Sequence, residues 1–254
     1  MILLDFRNWE FTTQKKYLPN AQKELVQSDF NILSELQDFS ILKTTIPVSL
    51  SDLFLKNENT IAVSSVKDIE RFYETLDSVL EVEDKEVMDY TEAAEEEVYF
   101  YGSSSLVVNH KVELGICGVN ENTDESLFEE YCEDFELNPF SFDLLKGVFT
   151  SDIALFVGNK LLMCLDYIKD KKLKKQLIGL LKNSGVELIA FTKEQVEQNA
   201  FNAKLLEDGR LVILQTAYNL FTEKQRAAIS DIDLEIVALP FLEEANVKLR
   251  DILL

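Results

Sequence analysis

The same local pattern occurs three times between residues 106 and 214 of this chain, at nearly constant spacing. The three turns, at residues 109–110, 158–159 and 208–209, lie about 50 residues apart. Each turn separates two apolar runs, which are Leu106–Val108 and Val112–Cys117, Ile153–Val157 and Leu161–Leu165, and Asn202–Leu206 and Leu211–Leu214. Polar turns of the Asn-Gly or Asp-Gly kind between apolar runs are the strongest short-range signal of a β-hairpin. A helical pattern and a further strand follow each hairpin, so we predict repeated ββαβ units, typical of an array or propeller.

The charge of the chain restricts its partners. The 254 residues carry a formal net charge of −21. Nucleic acid and anionic membranes are excluded as partners on electrostatic grounds, because their phosphates would be repelled. A cationic small molecule or a basic protein would be attracted, and solubility alone is the alternative explanation.

The composition predicts one well-packed domain in a reducing compartment. The apolar fraction is 46%, with only 8 Gly and 4 Pro, so we assign residues 1–254 to a single domain without a flexible linker. Asp5 interrupts the apolar start, and no later segment has the roughly 20 apolar residues of a membrane span. The three cysteines form an odd, scattered set, which favours a cytoplasmic protein over a disulfide framework.

Periodicity predicts further elements outside the three repeats. Strands are expected at Met1–Phe6, Ile41–Pro47 and residues 60–64, and helices after Asn20 and Ser65. Residues 81–97 contain nine acids and one base, so we expect a solvated loop or an exposed helix face there. Residues 238–254 fit one face of a helix through Phe241, Ala245, Leu249 and Leu253.

No familiar catalytic constellation is visible in the sequence. The single histidine, His110, falls in a predicted hairpin turn, and Cys164 falls in a core-type strand. We therefore expect an exposed histidine and a buried, unreactive thiol. Clustered zinc ligands, a Gly-rich phosphate loop and a dinucleotide fingerprint are all absent from the sequence, so we predict neither a metal nor a cofactor.

Several segments of the chain carry a likeness to a known family. The stronger ones are residues 148–158, 163–168, 183–187 and 217–228, and the weaker ones are residues 52–54 and 101–107. They resemble the amidinotransferase and arginine-deiminase-related hydrolases of the pentein superfamily, in particular its citrulline-hydrolase branch. The resemblance implies an α/β propeller of five ββαβ-type units around a pseudo-five-fold axis. It also implies a strand within residues 238–254, where periodicity favours a helix.

The chemistry-bearing positions of this family are changed here. The resemblance implies a cysteine nucleophile near the C-terminus, a histidine acid/base, and carboxylates that grip a guanidino or ureido substrate. Thr150 stands where the histidine belongs, Val247 where the cysteine belongs, and Tyr101 where a glutamate belongs. An aspartate of the first unit falls at Ser51 or Asp52.

We therefore predict a pentein without hydrolase activity that retains a polar central pocket for binding. The expected pocket residues are Ser51, Asp52, Tyr101, Ser103, Thr150, Asp152 and Asn202. One alternative is a hydrolase of guanidino or ureido C–N bonds with a rebuilt site in which Asp152 is the base. Another is an acidic interaction or inhibitory protein that docks a basic partner on residues 81–97.

Overall fold

Five small sheets contain the strands of this protein. The computed structural model describes residues 1–8, 20–44 and 48–254. Within these ranges the strands are, sheet by sheet, β1 (Ile2–Asp5) and β2 (Ser40–Lys43); β3 (Phe54–Lys56), β4 (Thr60–Val63) and β5 (Glu86–Asp89); β6 (Leu106–Asn109), β7 (Leu114–Val119) and β8 (Asn138–Asp143); β9 (Ala154–Val157), β10 (Lys160–Met163) and β11 (Glu187–Ala190); β12 (Ala203–Leu205), β13 (Leu211–Leu214) and β14 (Leu234–Val237).

Helices connect and flank these strands. The α-helices are α1 (Asn20–Ser34), α2 (Leu50–Leu53), α3 (Tyr73–Val82), α4 (Gly102–Ser105), α5 (Glu125–Asp134), α6 (Thr150–Ile153), α7 (Lys171–Asn183), α8 (Lys193–Glu197), α9 (Gln215–Asn219), α10 (Glu223–Ala228), α11 (Pro240–Glu244) and α12 (Leu249–Ile252). Short 3-10 helices cover Phe6–Asn8, Ile69–Phe72, Thr91–Glu96, His110–Val112 and Leu165–Tyr167.

The four three-stranded sheets share one connectivity. In each, two strands form an antiparallel hairpin and the third strand pairs parallel with the second. A parallel pair needs a crossover, which α3, α5, α7 and the pair α9–α10 supply in turn. The three predicted hairpins are therefore confirmed. The fourth, β3–β4, turns at residues 57–59 and belongs to a ββαβ unit that the repeat analysis did not identify.

The fifth unit is completed by the end of the chain. β1 pairs parallel with β2, and Leu3 forms an antiparallel bridge with Leu253. The Ile2 N–H donates to the Leu254 carbonyl at 2.9 Å, and the Leu254 N–H donates to the Ile2 carbonyl at 3.0 Å. Residues 238–254 therefore contain both the helical structure that periodicity favours and the extended segment that the family resemblance implies. Two short helices, α11 and α12, precede the bridge at Leu253. One hydrophobic cluster contains buried residues of all five units, from Ile2 to Leu254.

Four short helices meet where the units converge. Each of α2, α4, α6 and α12 has four residues and directly precedes the first strand of its unit or, for α12, the Leu253 bridge. We call these four helices the hub. Their approach is close at Gly102, whose φ is +41° and whose Cβ, if present, would lie 2.6 Å from the Phe54 carbonyl oxygen. Only glycine combines that conformation with that distance.

Two predicted elements differ from the structure. The acidic segment 81–97 is not a simple loop or helix face, because it contains the end of α3, the strand β5 and the 3-10 helix Thr91–Glu96. Two of its acids, Glu86 and Asp89, lie on β5, which among the described strands pairs only with β4 and so forms the edge of its sheet. The expected strand Ile41–Pro47 is shorter, since β2 ends at Lys43, and residues 45–47 lie outside the described residues. Among the helices that are described, none is long and apolar enough to cross a bilayer.

Candidate functional site

The segment Thr150–Asp152 lies in α6, and its three side chains have different surroundings. Thr150 is completely buried, and its hydroxyl accepts from the Gly118 N–H at 2.8 Å while it donates to the Ser105 carbonyl. Both hydrogen bonds join neighbouring units. The Thr150 hydroxyl is thus committed to holding α6 against the preceding unit, and it does not line the hub cavity described below.

Asp152 is the centre of an ion triad at the hub. One of its carboxylate oxygens accepts from both the Lys248 ammonium and the Arg250 guanidinium, and the other accepts from the Phe149 N–H at 3.0 Å. Arg250 also donates to the Ser151 carbonyl at 2.8 Å. Burial alone would raise the pKa of Asp152, but the charges of Arg250 and Lys248 outweigh it and lower the pKa to about 2.

A cluster of hydroxyls and carboxylates joins α2, α4 and α12. The Ser51 hydroxyl lies 2.9 Å from the Ser104 hydroxyl and 3.0 Å from the Ser49 hydroxyl. Ser51 and Ser49 both donate to Asp251, at 3.2 and 3.0 Å. Ser103 donates to the Ser51 carbonyl at 3.3 Å. The two predicted serines, Ser51 and Ser103, therefore form hydrogen bonds between neighbouring units.

Asp52 lies beside this cluster. Burial raises the pKa of Asp52 to about 6, and the nearby Asp251 carboxylate adds to the effect, whereas Ser104, Arg250 and Ser49 oppose it. Asp52 is therefore the hub carboxylate whose proton equilibrium lies near neutral pH.

Tyr101 and Asn202 hold neighbouring segments in place. The Tyr101 ring packs against Phe149 with centroids 5.6 Å apart, and its hydroxyl accepts from the Lys67 N–H at 3.3 Å. The Asn202 side chain accepts from the Leu249 N–H at 2.9 Å, so it fixes the start of α12. Val247 is partly buried against the hydrophobic core.

A cavity of about 190 Å³ opens beside the ion triad, and we call it the hub cavity. Its lining residues are Val148, Asp152, Tyr167, Val196, Glu197, Asn199, Phe201, Asn202, Lys248 and Arg250. Two of the predicted pocket residues, Asp152 and Asn202, are brought together here. Ser51, Asp52, Tyr101, Ser103 and Thr150 do not line this cavity.

Lys248 and Arg250 were missed as site residues by the sequence analysis. The available signal was a pair of cations on either side of Leu249, in the segment where the family resemblance expects the nucleophile. In a chain with a net charge of −21, two bases so close to Val247 mark an unusual segment. Their partner Asp152 lies 96 and 98 residues away in sequence, which no local pattern reveals.

None of the cysteines or the histidine lines the hub cavity. Cys117, Cys132 and Cys164 are all free and buried, and burial is the main factor that raises the pKa of each thiol. His110 is exposed in the turn between β6 and β7, as predicted. No group of three or more His, Cys, Asp or Glu side chains is placed to hold a metal ion in the part of the chain that the structure describes.

The sequence and the fold are similar to those of known proteins. A family model described as eukaryotic N,N-dimethylarginine dimethylhydrolase matches residues 51–244. No curated protein sequence matches the chain.

Three solved structures illustrate the likeness in fold. The N-terminal domain of ArgZ, an arginine dihydrolase from the ornithine–ammonia cycle in cyanobacteria, was solved as a cysteine-to-serine mutant bound to substrate; the TM-score is 0.68 at 10% identity over 89% of this chain and 82% of that chain. The same domain was also solved as an asparagine-to-serine variant covalently bound to a reaction intermediate. Its TM-score is 0.72 at 11% identity, over 96% of this chain and 92% of that chain. For a cysteine-to-serine mutant of DDAH from Pseudomonas aeruginosa, complexed with citrulline, the TM-score is 0.64 at 10% identity, over 92% of this chain and 87% of that chain. The predicted five-unit pentein propeller is confirmed.

Proposed function

This chain belongs to the eukaryotic N,N-dimethylarginine dimethylhydrolase family, and from that premise we propose that it is a non-hydrolytic member that binds a small polar ligand in the hub cavity. The ion triad of Asp152, Lys248 and Arg250 is the observation that carries this proposal. In the hydrolases that the sequence resembles, carboxylates grip the cationic part of the substrate. Here a carboxylate of the hub is already paired with a guanidinium of the same chain, so a ligand guanidinium would have to displace it.

The acid–base properties of the hub also argue against hydrolysis. A general base works best when its pKa lies near the working pH. With a pKa of about 2, Asp152 accepts a proton poorly at neutral pH. A thiolate nucleophile is not available either, because burial raises the pKa of all three cysteines.

The charges that line the hub cavity favour a zwitterionic ligand. Glu197 has no ion-pair partner among the described residues, whereas Lys248, which directly precedes α12, reaches the same cavity with its side chain 23% exposed. A free amino acid offers an ammonium group to Glu197 and a carboxylate to Lys248. The apolar side chains of Val148, Val196 and Phe201 also line the cavity and suit the aliphatic chain of such a ligand.

Ligand-induced stabilisation tests this proposal. A ligand that binds only the native state raises the unfolding midpoint, so the wild type should respond to one or more of L-citrulline, L-arginine and L-ornithine. Glu197→Gln should abolish that response. Glu194→Gln is the matched control, because Glu194 is exposed on the same helix and does not line the cavity. No response of the wild type to any of the three compounds would refute binding in the hub cavity.

A rebuilt hydrolase is the second candidate, and the pKa of Asp52 is the observation that favours it. A carboxyl with a pKa of about 6 can exchange a proton near neutral pH, and Ser49 and Ser104 lie beside it. Asp52 replaces Asp152 as the base in this version. It requires turnover that rises with pH through about 6 and disappears in Asp52→Asn.

A further inference from the structure

A second, larger cavity lies on the side of the protein opposite the hub helices, where the strands β3, β6 and β12 end. Its volume is about 870 Å³, and it is bounded by the turns at residues 57–59 and 110–111 and by residues 204–207. We call it the lysine cavity after four of its lining residues, Lys56, Lys85, Lys111 and Lys204. Two glutamates, Glu58 and Glu207, also line it.

The lysines differ in how far their charges are compensated. Lys56 pairs with Glu83 at 2.8 Å and Glu207 at 2.9 Å, so its charge is balanced. Within the described part of the chain, Lys85 donates only to backbone carbonyls, those of Asn57 and Glu58, at 2.9 and 2.6 Å. The side chains of Lys111 and Lys204 have no hydrogen-bond or ion-pair partner within residues 1–8, 20–44 and 48–254.

Lys204 is the most constrained of these groups. It lies in the middle of β12, opposite Val212, and is partly buried. Burial lowers the pKa of Lys204 to about 8, and the positive charges of Lys56 and Arg250 add to that effect. Asp251 and Glu207 oppose this lowering of the pKa without forming an ion pair with Lys204, so an anion placed beside the partly buried ammonium would stabilise the protein.

We propose that the lysine cavity binds a small molecule that carries a di- or polyphosphate group. Among the residues that the structure describes, Lys85, Lys111 and Lys204 line the cavity from three different units without an ion-pair partner, and Glu58 is the one lining glutamate that has none. Lysine binds phosphate as a point charge, so several lysines around one cavity suit a ligand that carries more than one phosphate charge. The whole chain has a net charge of −21, so this group of lysines is a local positive region in a strongly negative protein.

Calorimetric titration with inorganic pyrophosphate tests the proposal, with citrate at matched ionic strength as the second arm. The wild type should bind pyrophosphate, and Lys204→Met should bind it at least about tenfold more weakly, as expected for the loss of one charge-assisted contact. Lys111→Gln, at an exposed position where folding is not at risk, should also weaken binding. Lys171→Met is the matched control on the exposed face of α7 and should leave the affinity unchanged.

Each result has a definite meaning. Pyrophosphate binding that is weakened by Lys204→Met and Lys111→Gln but not by Lys171→Met supports the site. Absence of binding, binding of citrate alone, or equal affinity in all variants overturns it. Lys111→Gln separates this outcome from the proposed function, because Lys111 does not line the hub cavity, whereas Lys204 also interacts with the charge of Arg250.

Discussion

Arg250 and Asp152 form an ion pair across 98 residues of sequence, between α12 and α6 at the hub. The Arg250 side chain is only 9% exposed, and its guanidinium donates to the Asp152 carboxylate and the Ser151 carbonyl together. Its Nε atom is buried without a partner. The pair thus joins the end of the chain to the unit formed by β9–β11, and it places a cation of the chain itself at the hub.

Removing Arg250 should destabilise the protein. Arg250→Ala leaves Asp152 with Lys248 alone, and breaking a largely buried pair costs about 2–4 kcal/mol. Lys248→Ala should cost less, because the Lys248 side chain is more exposed, at 23%. Urea denaturation of both variants measures this order. Equal, negligible losses in the two variants would show that the triad does not hold the hub together.

The same carboxylate should contribute to acid unfolding. The folded-state pKa of Asp152, about 2, lies below the ordinary value of 3.8, so its stabilisation is complete above pH 3.8 and is lost as the pH falls through about 2. The effect is at most about 2 kcal/mol. Stability measured from pH 6 to pH 2 should therefore fall less steeply below pH 4 in Asp152→Asn than in the wild type. Parallel curves would contradict the assigned pKa.

Asp52 should show the opposite behaviour. Its pKa is raised to about 6, so ionisation opposes folding and the stability falls as the pH rises from 3.8 through about 6. Asp52→Asn should stabilise the protein by about 1–2 kcal/mol at pH 7 and by much less at pH 4. Thermal unfolding at the two pH values checks this, and destabilisation at pH 7 would disprove the assigned burial effect.

Close packing at the hub is testable with two glycines. Gly102→Ala places a methyl group 2.6 Å from the Phe54 carbonyl and 2.7 Å from the Ser51 carbonyl, so we expect a loss of about 3 kcal/mol or more. Gly179→Ala is the matched control, because that helical position has no neighbour within 4 Å. It should stabilise the protein by about 0.5–1 kcal/mol. A tolerated Gly102→Ala would mean that α4 does not approach α2 as described.

Local signals account for the parts of the fold that were predictable. The hairpins around Gly158 and Gly209 were predictable because their turns require a positive φ, which glycine adopts most easily, and both glycines have a positive φ in the structure. The β3–β4 hairpin lacks a glycine; the Asn57 side chain closes its turn by accepting from the Asn59 and Thr60 N–H groups at 2.9 and 2.8 Å. In addition, β3 has only three residues, Phe54–Lys56, so only the second strand of this hairpin, at residues 60–64, was predicted.

The remaining features depend on contacts between distant segments. Pairing of Ile2 with Leu254 and of Asp152 with Lys248 and Arg250 arises only once five units close into a ring. The family resemblance directed attention to Asp152 and Asn202, which do reach one cavity. It also directed attention to Thr150 and Ser51, whose hydroxyls are used in hydrogen bonds between units.

A single-turnover assay distinguishes a non-hydrolytic protein from an enzyme. The purified protein, in excess over L-arginine, L-citrulline or N,N-dimethylarginine, is monitored for ammonia, dimethylamine, citrulline and ornithine. We predict no product above the background without protein at any pH between 5 and 9. Product formation by the wild type that is lost in Asp152→Asn or Asp52→Asn would show that the protein is a hydrolase.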